Sequence, residues 1–251
     1  MKSILSLALV AAALAVACGG TSASTQPKPS TPPGPVVKYK NTLPGLTAAA
    51  PIDLVLSIID FAPGAASAVH THSAPNLATV LQGQITVKSA SGDKQGVAGD
   101  ALLEPVNQAV QAVNLGTGEA MVAGAFPVPH GGKPTAAVAG QPAPATPNKT
   151  LYSFTLASPS ISGGYSLVQQ VLDFAPGSQT PKHRHGGPGV ITVIQGQLTL
   201  GSDGVEKTYI VGESFTETPG QSLQAFNRGT TDLIAVSAFL LPDGAQLTTN
   251  A

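Results

Sequence analysis

Two stretches, His70-Thr71-His72 and His183-Arg184-His185, hold four of the five histidines of the chain. In an extended strand residues i and i+2 face the same side, so each pair would present two imidazoles to one surface. Two neutral ring nitrogens converging in this way make half of a transition-metal site. A lone His-x-His in a strand is ordinarily packing or surface. Here the pattern occurs twice, preceded at one spacing by Gly64 and Gly177 and followed at one spacing by Gln82-Gly83 and Gln195-Gly196. The fifth histidine, His130 in "PVPHGG", has no histidine counterpart and reads as a loop residue.

The spacing extends well beyond the histidines. A shift of 113 residues carries His70 onto His183 and, with no gap, Tyr39 onto Tyr152, Asp60 onto Asp173 and Gly99 onto Gly212. The same shift pairs Asn114 with Asn227 and Phe126 with Phe239, and "DFAPG" stands intact in both copies. A register of that length is the mark of an internal duplication. Within each copy, apolar runs such as "LVLSIIDF" and "LVQQVLDF" close on Ala-Pro-Gly, a turn signal. Alternating runs follow at short intervals, separated by Gln-Gly and Gly/Asp turns, and none has helical periodicity. The expectation is all-β, two tandem bodies of sandwich or barrel type.

The two bodies are expected at residues 37–132 and 150–251. The stretch between them, 133–149, is rich in Pro and Ala and reads as a linker. Ahead of both, Met1 to Ala17 is a short positive start and an apolar run, the pattern of a secretory signal. It ends in "LAVAC", which resembles the bacterial lipoprotein box, with Cys18 as the lipidated residue. Cys18 is the chain's one cysteine, so no intramolecular disulfide can form. Residues 18–36, dense in Gly, Ser, Thr and Pro, cannot offset their ordering entropy by burial and read as a tether. These features predict an extracytoplasmic protein of a bacterium, in the periplasm or at the cell surface, held to the membrane through its N-terminal lipid only.

Charged residues are 10% of the chain and the formal net charge is −1, with no basic cluster. Nucleic acid is therefore excluded as a partner, and a small-molecule ligand is the expectation.

The glycine, His-x-His and closing glycine of each copy resemble the first motif of the cupin superfamily. The runs from Gly99 to Asn114 and from Gly212 to Asn227 resemble its second motif. The resemblance covers both bodies and implies a bicupin, two tandem jelly-roll β-barrels with the histidine pairs facing inward. It also implies a divalent transition metal (Fe, Mn, Zn, Ni or Cu) and, as is common among cupins, dimerisation through sheet edges. The usual cupin completes its site with a glutamate just after the pair and a histidine in the second motif. Here the glutamate place holds Asn76 and Gly189, and the histidine place holds Val110 and Leu223. Glu104 and Glu217 stand at matching positions, and "GESFTETPG" resembles a cupin subgroup that carries a glutamate there together with "HRHxG". Two histidines and one carboxylate would form a triad with open positions. The expected metal sets are His70, His72 and Glu104, and His183, His185 and Glu217. Gln108, Gln111, Gln221 and Gln224 flank the vacant second-motif position and are candidates for substrate contact.

Two functions of different class follow from these residues. One is a metal-dependent, dioxygenase-like oxidoreductase acting on a small organic substrate. The other is a tethered protein that binds a sugar or phenolic ligand without catalysis, its metal sites decayed.

Overall fold

Short apolar runs punctuated by Gly, Pro and Asp become twenty strands and no helix among residues 32–48 and 51–251, the part of the chain that the computed structural model describes. The expected signal segment, Cys18 and residues 18–31 of the tether lie outside the described residues. In the first copy the strands are β1 (Val36–Ala48), β2 (Ile52–Phe61), β3 (His70–His72), β4 (Asn76–Gln82) and β5 (Gln84–Ser89). They continue as β6 (Lys94–Val97), β7 (Ala101–Glu104), β8 (Val110–Val113), β9 (Ala120–Pro129) and β10 (Thr135–Ala137). The second copy repeats the order as β11 (Lys149–Leu156), β12 (Gly163–Phe174), β13 (His183–His185), β14 (Gly189–Gln195) and β15 (Gln197–Ser202). It ends with β16 (Val205–Ile210), β17 (Ser214–Glu217), β18 (Leu223–Phe226), β19 (Leu233–Pro242) and β20 (Thr248–Asn250).

Four five-stranded sheets form two jelly-roll barrels, the all-β class and tandem architecture expected. Barrel 1 closes sheet β11-β2-β9-β4-β7 over sheet β10-β3-β8-β5-β6. Barrel 2 closes β1-β12-β19-β14-β17 over β16-β15-β18-β13-β20. Gln-Gly makes the tight link between β4 and β5 and between β14 and β15. Gly83 and Gly196 have φ of 69° and 72°, and a Cβ there would lie 2.4 Å and 2.6 Å from the carbonyl oxygens of Glu119 and Asp232. Both the dihedral and the close approach demand glycine.

Sheet membership does not follow the boundaries read from the sequence. Strand β1 of the first copy pairs with β12 of the second, and β11 of the second pairs with β2 of the first. Each copy thus lends its first strand to the other barrel. Tyr39 on β1 reaches back to cover Gly99 of its own copy, and Tyr152 on β11 does the same over Gly212, since a Cβ there would strike the rings at 2.9 and 2.7 Å. Residues 133–149, expected as a linker, are partly structural. They supply β10, which pairs with β3, and the amides of Ala66 and Asn148 bond the carbonyls of Thr146 and Ala66 across that segment.

The exchange brings the two outer sheets together. Leu54, Leu56 and Ile58 of β2 share one buried cluster with Leu167, Val236 and Leu240 of the second copy, while separate clusters fill each barrel. This explains why "LVLSIIDF" is an unbroken apolar run. One face of β2 looks into barrel 1 and the other into the layer between barrels, so both must be hydrophobic.

Candidate metal centre

His70 and His72 both turn inward from β3 as the strand alternation requires, with Thr71 on the other face. They line a cavity of about 300 Å³ in barrel 1 together with Glu104, which projects from the end of β7. His183, His185 and Glu217 line the matching cavity of about 360 Å³ in barrel 2. Each of the two sets expected to hold a metal thus faces one cavity, and only that of barrel 1 gathers its ligand atoms into a compact trio.

The imidazoles are oriented by backbone carbonyls. The Nδ1–H of His70 donates to Ala68 at 2.8 Å, and that of His72 to Pro134 at 3.1 Å. In barrel 2, His183 donates to Pro181 at 2.9 Å and His185 to Leu247 at 2.8 Å. A carbonyl can only accept, so each Nδ1 carries the proton and each neutral ring turns an Nε2 lone pair into the barrel.

What the lone pairs meet is further electron density. His72 Nε2 lies 3.1 Å from Glu104 Oε2, yet it is a buried polar atom with no hydrogen-bond partner of acceptable geometry. His183 Nε2 lies 3.1 Å from His185 Nε2, which lies 2.9 Å from Glu217 Oε2. Such clusters of acceptors repel one another unless a cation or proton sits among them. Among the described residues, His70, His72 and Glu104 alone form a trio whose ligand atoms all lie within 4.8 Å of one another. The donor chemistry of that trio, two imidazoles and a carboxylate, fits a divalent transition ion.

The surroundings favour the ionised form of the Glu104 carboxyl. Burial pushes the Glu104 carboxyl up, but the adjoining His72 imidazole and the Asn76 amide outweigh it, and the net shift is downward. Burial pushes His183 down, against the opposing hydrogen bond to Pro181, which favours the neutral ligating form.

The expected gaps in the ligand set are filled differently in each barrel. Val110 pairs directly with His70, and Leu223 with His183. Both are buried and apolar, so no nitrogen ligand stands there. Asn76, paired in register with Glu104, donates its amide to Glu104 Oε2. Gly189, paired with Glu217, leaves room for the Phe239 ring, which stacks on His185 with centroids 4.4 Å apart.

The four glutamines do not contact either cavity, which corrects the expectation that they meet substrate. Gln111 and Gln224 donate to the carbonyls of Ser67 and Thr180 at 3.0 and 2.9 Å, tying down the segments that lead into the histidine strands. Gln221 donates to Ser202 Oγ at 2.8 Å, and Gln108 is exposed on the loop after β7. Asn114 and Asn227 have matching structural roles. Each bonds the carbonyl that ends β2 or β12, Phe61 or Phe174, at 2.8 Å.

His130 lies in a loop, as expected, but it is not idle. Its Nδ1 contacts Asp53 Oδ1 at 2.9 Å and Ser158 Oγ at 2.9 Å. This Asp, His and Ser group is not a hydrolytic triad. Both partners address the same ring nitrogen, so the imidazole cannot pass a proton between them. The group instead pins the end of β9 and the segment after β11 to buried Asp53. Nothing in the spacing of these three residues signals that contact, which the strand exchange creates.

The comparisons with known proteins agree with the fold. The Cupin_2 family model, a cupin domain, matches residues 170–239. No curated protein matches the chain. Among solved structures, AerE from Microcystis aeruginosa superposes with a TM-score of 0.54 at 14% identity, covering 83% of this chain and 98% of its own. The oxalate decarboxylase of Bacillus subtilis, in a study of its Mn(II) centres, gives 0.57 at 15% identity, covering 88% and 81%. A vicilin from Solanum melongena gives 0.61 at 10% identity, covering 83% and 84%. At such identities the likeness is one of fold.

Proposed function

We propose that this cupin-fold chain is a metal-dependent protein that binds, and through dioxygenase-like chemistry oxidises, a small organic molecule outside the cytoplasm. The observation that carries the reading is the buried, unpartnered Nε2 of His72 facing Glu104, an acceptor group that calls for a cation. His70, His72 and Glu104 would hold that ion in barrel 1. His183, His185 and Glu217 would form a second, weaker site, because their ligand atoms are strung out rather than gathered. When bound, the ion supplies a Lewis acid with open positions and, if redox-active, a one-electron couple for work with dioxygen.

The chain's own residues do the rest. Carbonyls of Ala68 and Pro134 hold the two rings in the ligating tautomer. Asn76 fixes the carboxylate, and Val110 keeps a face of the site free of a further nitrogen. Phe126, with its ring centroid 5.4 Å from that of His72, lines the cavity beside that ring. The likeness to a manganese-containing decarboxylase supports Mn(II) as one of the ions to try. The signal segment and Cys18 support a lipid-anchored location.

A second reading, a non-catalytic binding protein, is favoured by one observation in barrel 2, whose acceptors do not close into a compact trio. Metal analysis of the chain without residues 1–18 and without a His-tag decides between them. The proposal expects close to one ion bound tightly per chain, lost in the His70→Ala/His72→Ala double variant. A second, weaker ion should be lost in His183→Ala/His185→Ala. No bound metal under metal-replete conditions would leave the binding reading in its place.

A further inference from the structure

Barrel 2 holds a polar group that the chain itself does not use. Ser237 on β19 lines the cavity, is 1% exposed, and its Oγ has no hydrogen-bond partner. A buried hydroxyl in that state is unfavourable unless something entering the cavity satisfies it.

The duplication shows that the position is not forced by the fold. Its counterpart in barrel 1 is Gly124, and the difference is coupled to a second one, Asn76 against Gly189. In barrel 1 the Phe126 ring lies over Gly124, where a Cβ would come within 2.8 Å of it. In barrel 2 the Phe239 ring lies over Gly189 instead, where a Cβ would come within 2.2 Å. The aromatic ring settles beside whichever wall position is glycine. In barrel 2 the ring also stacks on His185.

Geometry and charge then define what would fit. Ser237 and Phe239 are i and i+2 on one strand face, about 7 Å apart along it, so the hydroxyl stands one pleat from the ring that touches His185. Gln170, the cross-strand partner of Ser237, lines the same cavity. Phe174, Ile191, Leu198 and Phe215 are apolar residues of the remaining wall, and Thr180, Thr248 and Asn250 are polar ones. Among the described residues no lysine or arginine lines either cavity.

We propose that Ser237 is a ligand-binding residue of barrel 2, and that this cavity takes an uncharged, mainly apolar organic molecule carrying two oxygens. One oxygen is directed to the His183, His185 and Glu217 group, and the other meets Ser237 Oγ. The placement of the first oxygen rests on the metal reading above; that of the second does not. Barrel 1, with Gly124 in this place, lacks the second contact and selects a different molecule. A dicarboxylate is disfavoured in both cavities, since among the described residues no lysine or arginine lines either to receive its outer carboxylate.

The test is a ¹³C-methyl NMR titration of the full chain with three probes: 4-hydroxyacetophenone, phenol and oxalate. Ile191 and Leu198 report on barrel 2, and Ile85 and Val87 on barrel 1. Ser237→Ala should weaken 4-hydroxyacetophenone at barrel 2 by about 3- to 10-fold, the worth of one hydrogen bond. It should leave phenol at barrel 2 and every probe at barrel 1 unchanged, and it should not lower the thermal midpoint of the ligand-free chain. Equal affinities in wild type and variant, absence of binding by both neutral probes, or a preference of barrel 2 for oxalate would each overturn the proposal. So would a drop in thermal midpoint, which would assign the hydroxyl to the fold. Metal is quantified in the same samples. Serine-dependent binding without metal would sink the metal reading and leave this one standing.

Discussion

Asn76 stands where the cupin resemblance expects a metal-binding glutamate, and its effect passes through Glu104 instead. By donating to Oε2 it holds the carboxylate toward His72. Groups that orient a ligand in this way typically matter by about 10- to 100-fold in metal affinity. Asn76→Ala should therefore weaken the ion of barrel 1 by that order in competition with a chromophoric chelator, and leave barrel 2 unaffected, where Gly189 offers no such donor. Asp53 makes a different prediction. The hydrogen bond from His130, then that from the Gly131 amide, lower its carboxyl from 3.8 to about 2. A carboxylate depressed on folding adds stability that is fully present above its unfolded value, and that is lost as pH falls through the folded one. The thermal midpoint of Asp53→Asn should lie below wild type at neutral pH. The gap should close between about pH 4 and pH 2, as thermal unfolding across that range would show. The inward histidines and the two glutamates were legible from position in a strand and from repetition. The roles of Asn76 and Asp53 were not, because each depends on a partner far away in the chain.

At the scale of elements, glycine decides how the hairpins turn. Gly83 combines a φ of 69° with a carbonyl oxygen 2.4 Å from where a Cβ would lie. Gly83→Ala cannot relax one strain without worsening the other, and should lose more than about 2 kcal/mol in denaturant unfolding. The exchanged strands make the second case. Removing residues 1–48 deletes β1 from the sheet of barrel 2 and leaves β12 as a bare edge. Hydrogen exchange should therefore rise first along β12 in the second copy rather than along β2 in the copy that was cut. Strand existence was legible from the runs and their turns. Strand partnership was not, since β1 and β11 have equivalent patterns and either sheet would accept either strand on local grounds.

At the scale of the molecule, the exchange and the shared layer of Leu54, Leu56, Leu167 and Leu240 make the two barrels one cooperative body. Neither copy can complete its outer sheet from its own residues. Calorimetry should show one transition, with calorimetric and van't Hoff enthalpies in agreement. The separated halves, 1–138 and 139–251, should each fail to fold alone and regain strand content on mixing. Two independent transitions, or a folded isolated half, would show that the exchanged strands are dispensable.

By itself, the sequence determined the duplication, the all-β class, the inward His-x-His faces and the glycine turns. Each of these is written in local periodicity or in residues compared at a constant offset. Only the tertiary structure decided which barrel receives β1, that the glutamines brace loops rather than line a cavity, and that Ser237 is left without a partner. The reason is the same in all three. Pairing, bracing and satisfaction are properties of two atoms brought together by long-range closure, and a one-dimensional pattern states what a residue can offer, not what it will meet.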